Sequence, residues 1–161
     1  MKKLTFALII CLFSSCQLFE PKPESEKFYC KHNGKAWRPE KNSTSLGTNL
    51  KAEWNKKGKF NILAYQYPEY VWMLLKVDSG GIKIGKYDLS NDITNSVGNY
   101  SYDYRVSNNE VTISKSGFVN ITKVENKQVS GTFEFTTHSN IQNKDYKITK
   151  GQFNNLYYSE F

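Results

Sequence analysis

The sequence predicts an all-β fold, an antiparallel β-sandwich or up-and-down β-barrel of about ten short strands, and three observations point there. From Phe28 onward, apolar and polar residues alternate at the strand period rather than the helical one. Turn-forming groups such as Asn33-Gly34, Lys56-Lys57-Gly58 and Asp78-Ser79-Gly80-Gly81 break that pattern about every ten residues. Eleven Tyr, ten Phe and three Trp among 161 residues supply a core for one folded domain and argue against a disordered chain.

Taken in order, Tyr29 to His32 and Lys35 to Arg38 flank Asn33-Gly34. That pair suits a two-residue type I′ hairpin, in which both central residues take positive φ. Lys51 to Asn55 and Lys59 to Tyr67 flank the second turn, and Pro68-Glu69 ends the latter run because Pro cannot donate to a ladder. Val71 to Leu75 is apolar at both parities, which predicts a central strand covered on both faces or shielded on its outer one. Further strands are predicted at Gly81 to Tyr87, Asn99 to Val106, Glu110 to Ser114, Gly117 to Val124, Gln128 to Thr137, Tyr146 to Thr149 and Gln152 to Tyr158. Asn108-Asn109 and Glu125-Asn126-Lys127 read as hairpin turns. Val129, Gly131, Phe133 and Phe135 should face the core while Ser130, Thr132, Glu134 and Thr136 face solvent, with Gly131 marking a bulge or a close backbone contact. Many short strands joined mostly by hairpins must protect their edges, hence the closed architectures.

Ahead of this domain lies an address. Lys2 and Lys3 precede Leu4 to Phe13, an apolar stretch too short for a permanent membrane span, so residues 1–15 read as a secretory signal. Ser14-Ser15-Cys16 resembles the lipobox cut by the lipoprotein signal peptidase, and Cys16 is the expected lipidated N-terminus and membrane anchor. The rest of segment 16–27, with Pro21, Pro23 and three Glu but little to bury, is a flexible tether reaching at most about 36–40 Å. Residues 28–161 form the single all-β domain. Cys11 leaves with the signal and Cys16 carries lipid, so Cys30 remains alone and no internal disulfide can form. Its alternating surroundings predict a half-buried thiol. A catalytic pairing with His32 lacks a group to orient the imidazole.

Few residues point to chemistry. His32 and His138 are the two histidines, and the zinc-protease, Cys-x-x-Cys, nucleophile-elbow and phosphate-loop patterns are absent, so no catalytic residue, metal ligand or cofactor is assigned. His138 is expected in an exposed loop at a strand end. Asp88-Leu89-Ser90-Asn91-Asp92 alternates oxygen ligands, but Ile93 stands where a calcium loop needs Gly, and turn chemistry is the simpler reading. Asp103, Glu110, Glu134 and Glu53 are carboxylates that only the fold could pair for a hydrolase.

Tyr100-Ser101-Tyr102-Asp103-Tyr104 is the one suggestive constellation, since a strand puts Tyr100, Tyr102 and Tyr104 on one face about 6.6–6.8 Å apart. Facing outward, they offer a stacking strip to a glycan or an envelope protein; facing inward, they are core. The more polar Ser101 and Asp103 favour the inward arrangement. In a partly open barrel the same lining, with Trp72 or Tyr87, would enclose a small apolar ligand. Trp37 and Trp54 read as core anchors.

The net charge of +7 does not indicate nucleic acid. Removing Lys2, Lys3, Lys22 and Lys27 from 22 basic residues, and Glu20, Glu24 and Glu26 from 15 acidic ones, leaves 18 and 12 on residues 28–161. These are mostly single lysines along strands, where they solvate faces and protect edges.

Asn33-Gly34-Lys35-Ala36-Trp37, Gly85-Lys86-Tyr87, Gly117 to Lys123, Val129 to Phe135 and Ile148-Thr149-Lys150-Gly151-Gln152-Phe153 occur in an order that resembles a family of small Bacteroidota envelope lipoproteins known only as a domain of unknown function. The resemblance covers roughly residues 28 to 154 and implies a β-rich lipoprotein of the cell envelope, at the outer membrane on its periplasmic or outer side. It lends no functional residue. The expectation is therefore a non-catalytic ligand- or partner-binding β domain, with a structural or assembly component and a carboxylate hydrolase as the competing readings.

Overall fold

The computed structural model describes residues 26–41, 49–103 and 112–161. Ten strands join in one sheet: β1 (Phe28–His32), β2 (Lys35–Trp37), β3 (Leu50–Trp54), β4 (Lys59–Gln66), β5 (Glu69–Lys76), β6 (Gly85–Leu89), β7 (Val97–Ser101), β8 (Ser114–Glu125), β9 (Gln128–Ser139) and β10 (Lys144–Glu160). Their order is β6-β8-β9-β10-β3-β4-β5-β7, with β1 paired to β10 and β2 to β1. The sheet curls until β7 meets the start of β8, where Asn99 bridges Ile113, and the result is a nearly closed barrel.

Local chemistry sets the hairpins. Asn33 and Gly34 take φ of 48° and 82°, as a type I′ turn demands, and Asn126 and Lys127 do the same between β8 and β9 at 49° and 58°. Gly58, at φ 95°, closes the β3–β4 turn, while Tyr67-Pro68, with a cis peptide bond, joins β4 to β5.

β10 links the two walls. On one edge it pairs with β9 along nearly its whole length, from Lys144 with Ser139 to Tyr157 with Gln128; on the other it pairs with β1, as in Ile148 with His32, and its end pairs in parallel with β3 through Tyr158 and Ala52. Two bulges, with Lys150 and Asn155 at φ 50° and 46°, bend the strand between these tasks. The sequence pattern divides this segment into Tyr146 to Thr149 and Gln152 to Tyr158. The backbone instead runs through as one strand, because each bulge offsets the ladder by a residue without ending it.

Other boundaries shift for local reasons. β6 begins at Gly85 rather than Gly81, because Gly81, at φ 89°, is held in a turn by its bridge to Asp78, and Ile84 beyond it is 67% exposed. Ser114 belongs to β8, reached across a bulge, rather than to a strand of its own. β7 starts at Val97, two residues earlier than Asn99. The Asn108-Asn109 turn lies outside the described residues.

The barrel is filled by inward side chains. Phe60 and Ile62 of β4, Val71, Met73 and Leu75 of β5, Phe133 of β9 and Phe153 of β10 are completely buried. Each contributes about 1.5–3 kcal/mol relative to exposure. Gly131 is the close approach its position suggests: a Cβ there would stand 2.5 Å from the Asn120 carbonyl oxygen and 2.7 Å from Phe153 Cζ. β7 departs from simple alternation, since all five of its residues are buried, Ser101 included. The cause is the seam, where Thr112 donates its hydroxyl hydrogen to the Tyr100 carbonyl and Ser114 Oγ accepts from the Gly98 amide at 3.0 Å.

Candidate functional site

At one end of the barrel the ends of β1, β5, β7 and β10 converge, and the side chains they carry form an aromatic and polar group. The β1–β2 hairpin is pinned to β10 by Asn33, whose amide donates to the Lys147 carbonyl and whose Oδ1 accepts from the Lys147 amide, both at 2.8 Å. This fixes His32, whose ring lies 4.2 Å from that of Tyr100 and 5.5 Å from that of Tyr146. Tyr100 and Tyr146 are 4.9 Å apart, and Tyr102 stacks on Tyr146 at 6.2 Å. Glu69, first residue of β5, accepts from Trp37 Nε1 at 2.7 Å and stands 4.0 Å from His32 Nδ1. The Tyr146 hydroxyl donates to Gln142 of the β9–β10 turn.

Burial decides the electrostatics. His32 is shifted down, first by desolvation and then by Lys144 and Lys35, against the opposing pull of Glu69, so its imidazole is neutral at pH 7. Its Nε2 is buried without a partner. The Tyr100 hydroxyl is pushed up, chiefly by desolvation and next by the charge of Glu69. Cys30 is fully buried, and burial with the nearby Glu69 charge pushes its thiol up as well. Neither the phenol nor the thiol ionises near neutrality. The group can stack and hydrogen-bond, but it holds no activated nucleophile.

Of the sequence-predicted residues, Tyr100 is 1% exposed and points inward. Tyr102, on the same face, is half-buried against the core and nearer the barrel mouth. Tyr104 and Cys16 lie outside the described residues. Trp72 does not line the interior with the tyrosines; it is on the outer face of β5, because its neighbours Val71 and Met73 take the inner one. Tyr87 packs against the core, its hydroxyl donating to the Lys83 carbonyl at 3.0 Å. Trp37 is buried, and Trp54 is packed against the same core. His138 is on β9 rather than in a loop, its Nδ1 2.7 Å from Asp145. Asp92 spends its oxygens on a turn, accepting from the Thr94 amide and hydroxyl and from Asn95. Among the described residues no three His, Cys, Asp or Glu side chains are grouped to hold a metal ion.

Glu69 and Tyr146 are the members that sequence reasoning missed. Glu69 reads only as the end of a run at Pro68, and its partners Trp37 and His32 are more than 30 positions away. Nothing local marks either residue.

Three surface cavities bear on binding. One of about 790 Å³ lies between Arg38, Asn49 and Tyr157, one of about 350 Å³ between Tyr29, Phe118 and Gln152, and one of about 320 Å³ between Lys51, Asn61 and Trp72. None has Tyr100 or Tyr102 in its wall.

Residues 27–156 match the family described as Domain of unknown function (DUF6252). No curated protein and no solved structure matches the chain.

Proposed function

The chain belongs to the DUF6252 family, whose description assigns no activity, and from that premise we propose a non-catalytic binding domain of the cell envelope, anchored by a lipid on Cys16. The observation that carries the binding reading is the convergence of Tyr102, Tyr146, His32 and Glu69 at one barrel end, with the His32 and Glu69 side chains 19% and 31% exposed. Three strands, β1, β5 and β10, hold His32, Glu69 and Tyr146, and Tyr102 follows directly on β7 and stacks on Tyr146, so a ligand or partner would meet a preorganised surface. Tyr100 acts as the buttress behind it; Tyr102 and, from the sequence alone, Tyr104 are the contact residues. The raised thiol and phenol support the non-catalytic reading, since neither supplies an anion at neutral pH.

The second reading, a structural or assembly component, is favoured by the filled interior, which leaves Phe60, Phe133 and Phe153 where a small apolar ligand would sit. Binding of the intact lipidated chain to soluble polysaccharides and purified outer-membrane proteins separates the two. A ligand whose affinity falls about tenfold in Tyr102→Ala, with the variant still folded by circular dichroism at the assay temperature, is the expected result. No binding to any member, or binding indifferent to Tyr102→Ala, overturns the barrel-end site.

A further inference from the structure

The outer face of β3, β4 and β5 carries a second feature, away from the barrel end. Register places Lys51, Leu63 and Trp72 in one row across the three strands, and Glu53 beside Asn61 in the next. Strands about 4.8 Å apart put the two outer members of the first row roughly 10 Å from each other. The middle strand contributes the shorter side chains, Asn61 and Leu63. Trp72 rises on one side, with Lys51 and Glu53 on the other, and the cleft between them is about 320 Å³.

Three properties define what this cleft can hold. Its Trp72 wall is a half-buried indole on the face where strand alternation calls for polar residues, an apolar surface left open to solvent. Among the described residues, the side chains of Lys51, Glu53 and Asn61 make no hydrogen bond or ion pair with one another or with a neighbour, so donors and acceptors of both signs are unspent. The three strands are interior to the sheet, each with partners on both edges, so a peptide cannot add to them as an extra strand and recognition must come from side chains alone.

We propose that this cleft is a carbohydrate-binding site for a pyranose ring of a polysaccharide, with the C–H face of the sugar on Trp72 and its hydroxyls shared among Asn61, Glu53 and Lys51. A pyranose presents one apolar face and a rim of groups that both donate and accept. That matches an indole flanked by an amide, a carboxylate and an ammonium. This inference rests on the reading of the domain as a binding module, but it places the sugar on the barrel wall rather than at the barrel end.

Affinity electrophoresis of the intact chain through gels containing β-glucan, xylan, mannan or polygalacturonate tests it. At least one polysaccharide should retard the protein, with the apparent dissociation constant rising about tenfold in Trp72→Ala and several-fold in Asn61→Ala or Glu53→Gln. Glu53→Gln keeps the size of a side chain that makes no hydrogen bond or ion pair among the described residues, so it keeps the test sound if Trp72→Ala fails to fold. Retardation lost in Tyr102→Ala but unchanged in the three cleft variants overturns this site while sparing the binding reading. Absence of retardation in all four gels overturns the sugar assignment, as does selection of a peptide by the Trp72 face.

Discussion

His32 is a half-buried imidazole with one nitrogen buried and unpartnered and the other facing Glu69, and its cost falls on the acid side of the stability curve. Its pKa in the folded chain lies below the ordinary value of 6.5, so the unfolded chain binds its proton more readily. The contribution of neutral His32 is therefore complete above about pH 6.5 and is lost as pH falls through the folded pKa. His32→Phe keeps a ring against Tyr100 and Tyr146 but removes the titration. Urea midpoints at pH 7 and pH 5 should drop for the wild type and stay level for the variant. An equal drop in both would place the pH dependence elsewhere. Asp78, Asp92, Glu125 and Asp145, held low by hydrogen bonds and by neighbouring Lys or His groups, act at more acid pH and leave this window clear. The environment of His32 was not legible beforehand. Its parity with Cys30 was visible, but Tyr146 reaches it only through the pairing of β1 with β10, and Glu69 only because the curled sheet brings the start of β5 across to β1.

Among the elements, β7 and β8 meet through side chains rather than a full ladder. Fully buried Ser114 accepts from the Gly98 amide at 3.0 Å and donates to the Ser90 carbonyl at 2.8 Å. Ser114→Ala leaves the Gly98 amide buried and unsatisfied and removes the bond to the part-buried Ser90 carbonyl, which should cost about 2 kcal/mol, or roughly 8 °C in Tm. A melting curve within a degree of the wild type would show that the seam is held by other contacts. Hairpins were legible where turn chemistry is encoded in adjacent residues, as in Asn33-Gly34. The alternation of β9 was equally clear, because one face meets the core and the other meets water. The continuity of β10 was hidden because Lys150 adopts a left-handed conformation that its side chain does not advertise, and because Asn155, which does favour one, marks a turn as readily as a bulge. The burial of Ser101 was hidden for a different reason, since it depends on where the chain returns at Thr112.

At the scale of the whole molecule, several lysines of the described residues stand beside carboxylates. Lys86 pairs with Asp88 at 2.7 Å, Lys123 with Glu125 at 2.9 Å and Lys115 with Asp145 at 3.1 Å, each an exposed couple of small energetic weight. The described domain offers a filled barrel with an aromatic end and a half-buried indole on its wall. In the proposed arrangement the tether and the Cys16 lipid keep both near a membrane. The all-β class was legible from periodicity and turns, whereas both candidate binding surfaces were assembled from strands distant in the chain. Metabolic labelling of cells with an alkynyl palmitate analogue is the most direct test of the tethered placement. The wild-type chain should take up label and sediment with membranes, and Cys16→Ser should do neither; label retained on Cys16→Ser, or a wild-type chain that stays unlabelled, would contradict the lipid anchor.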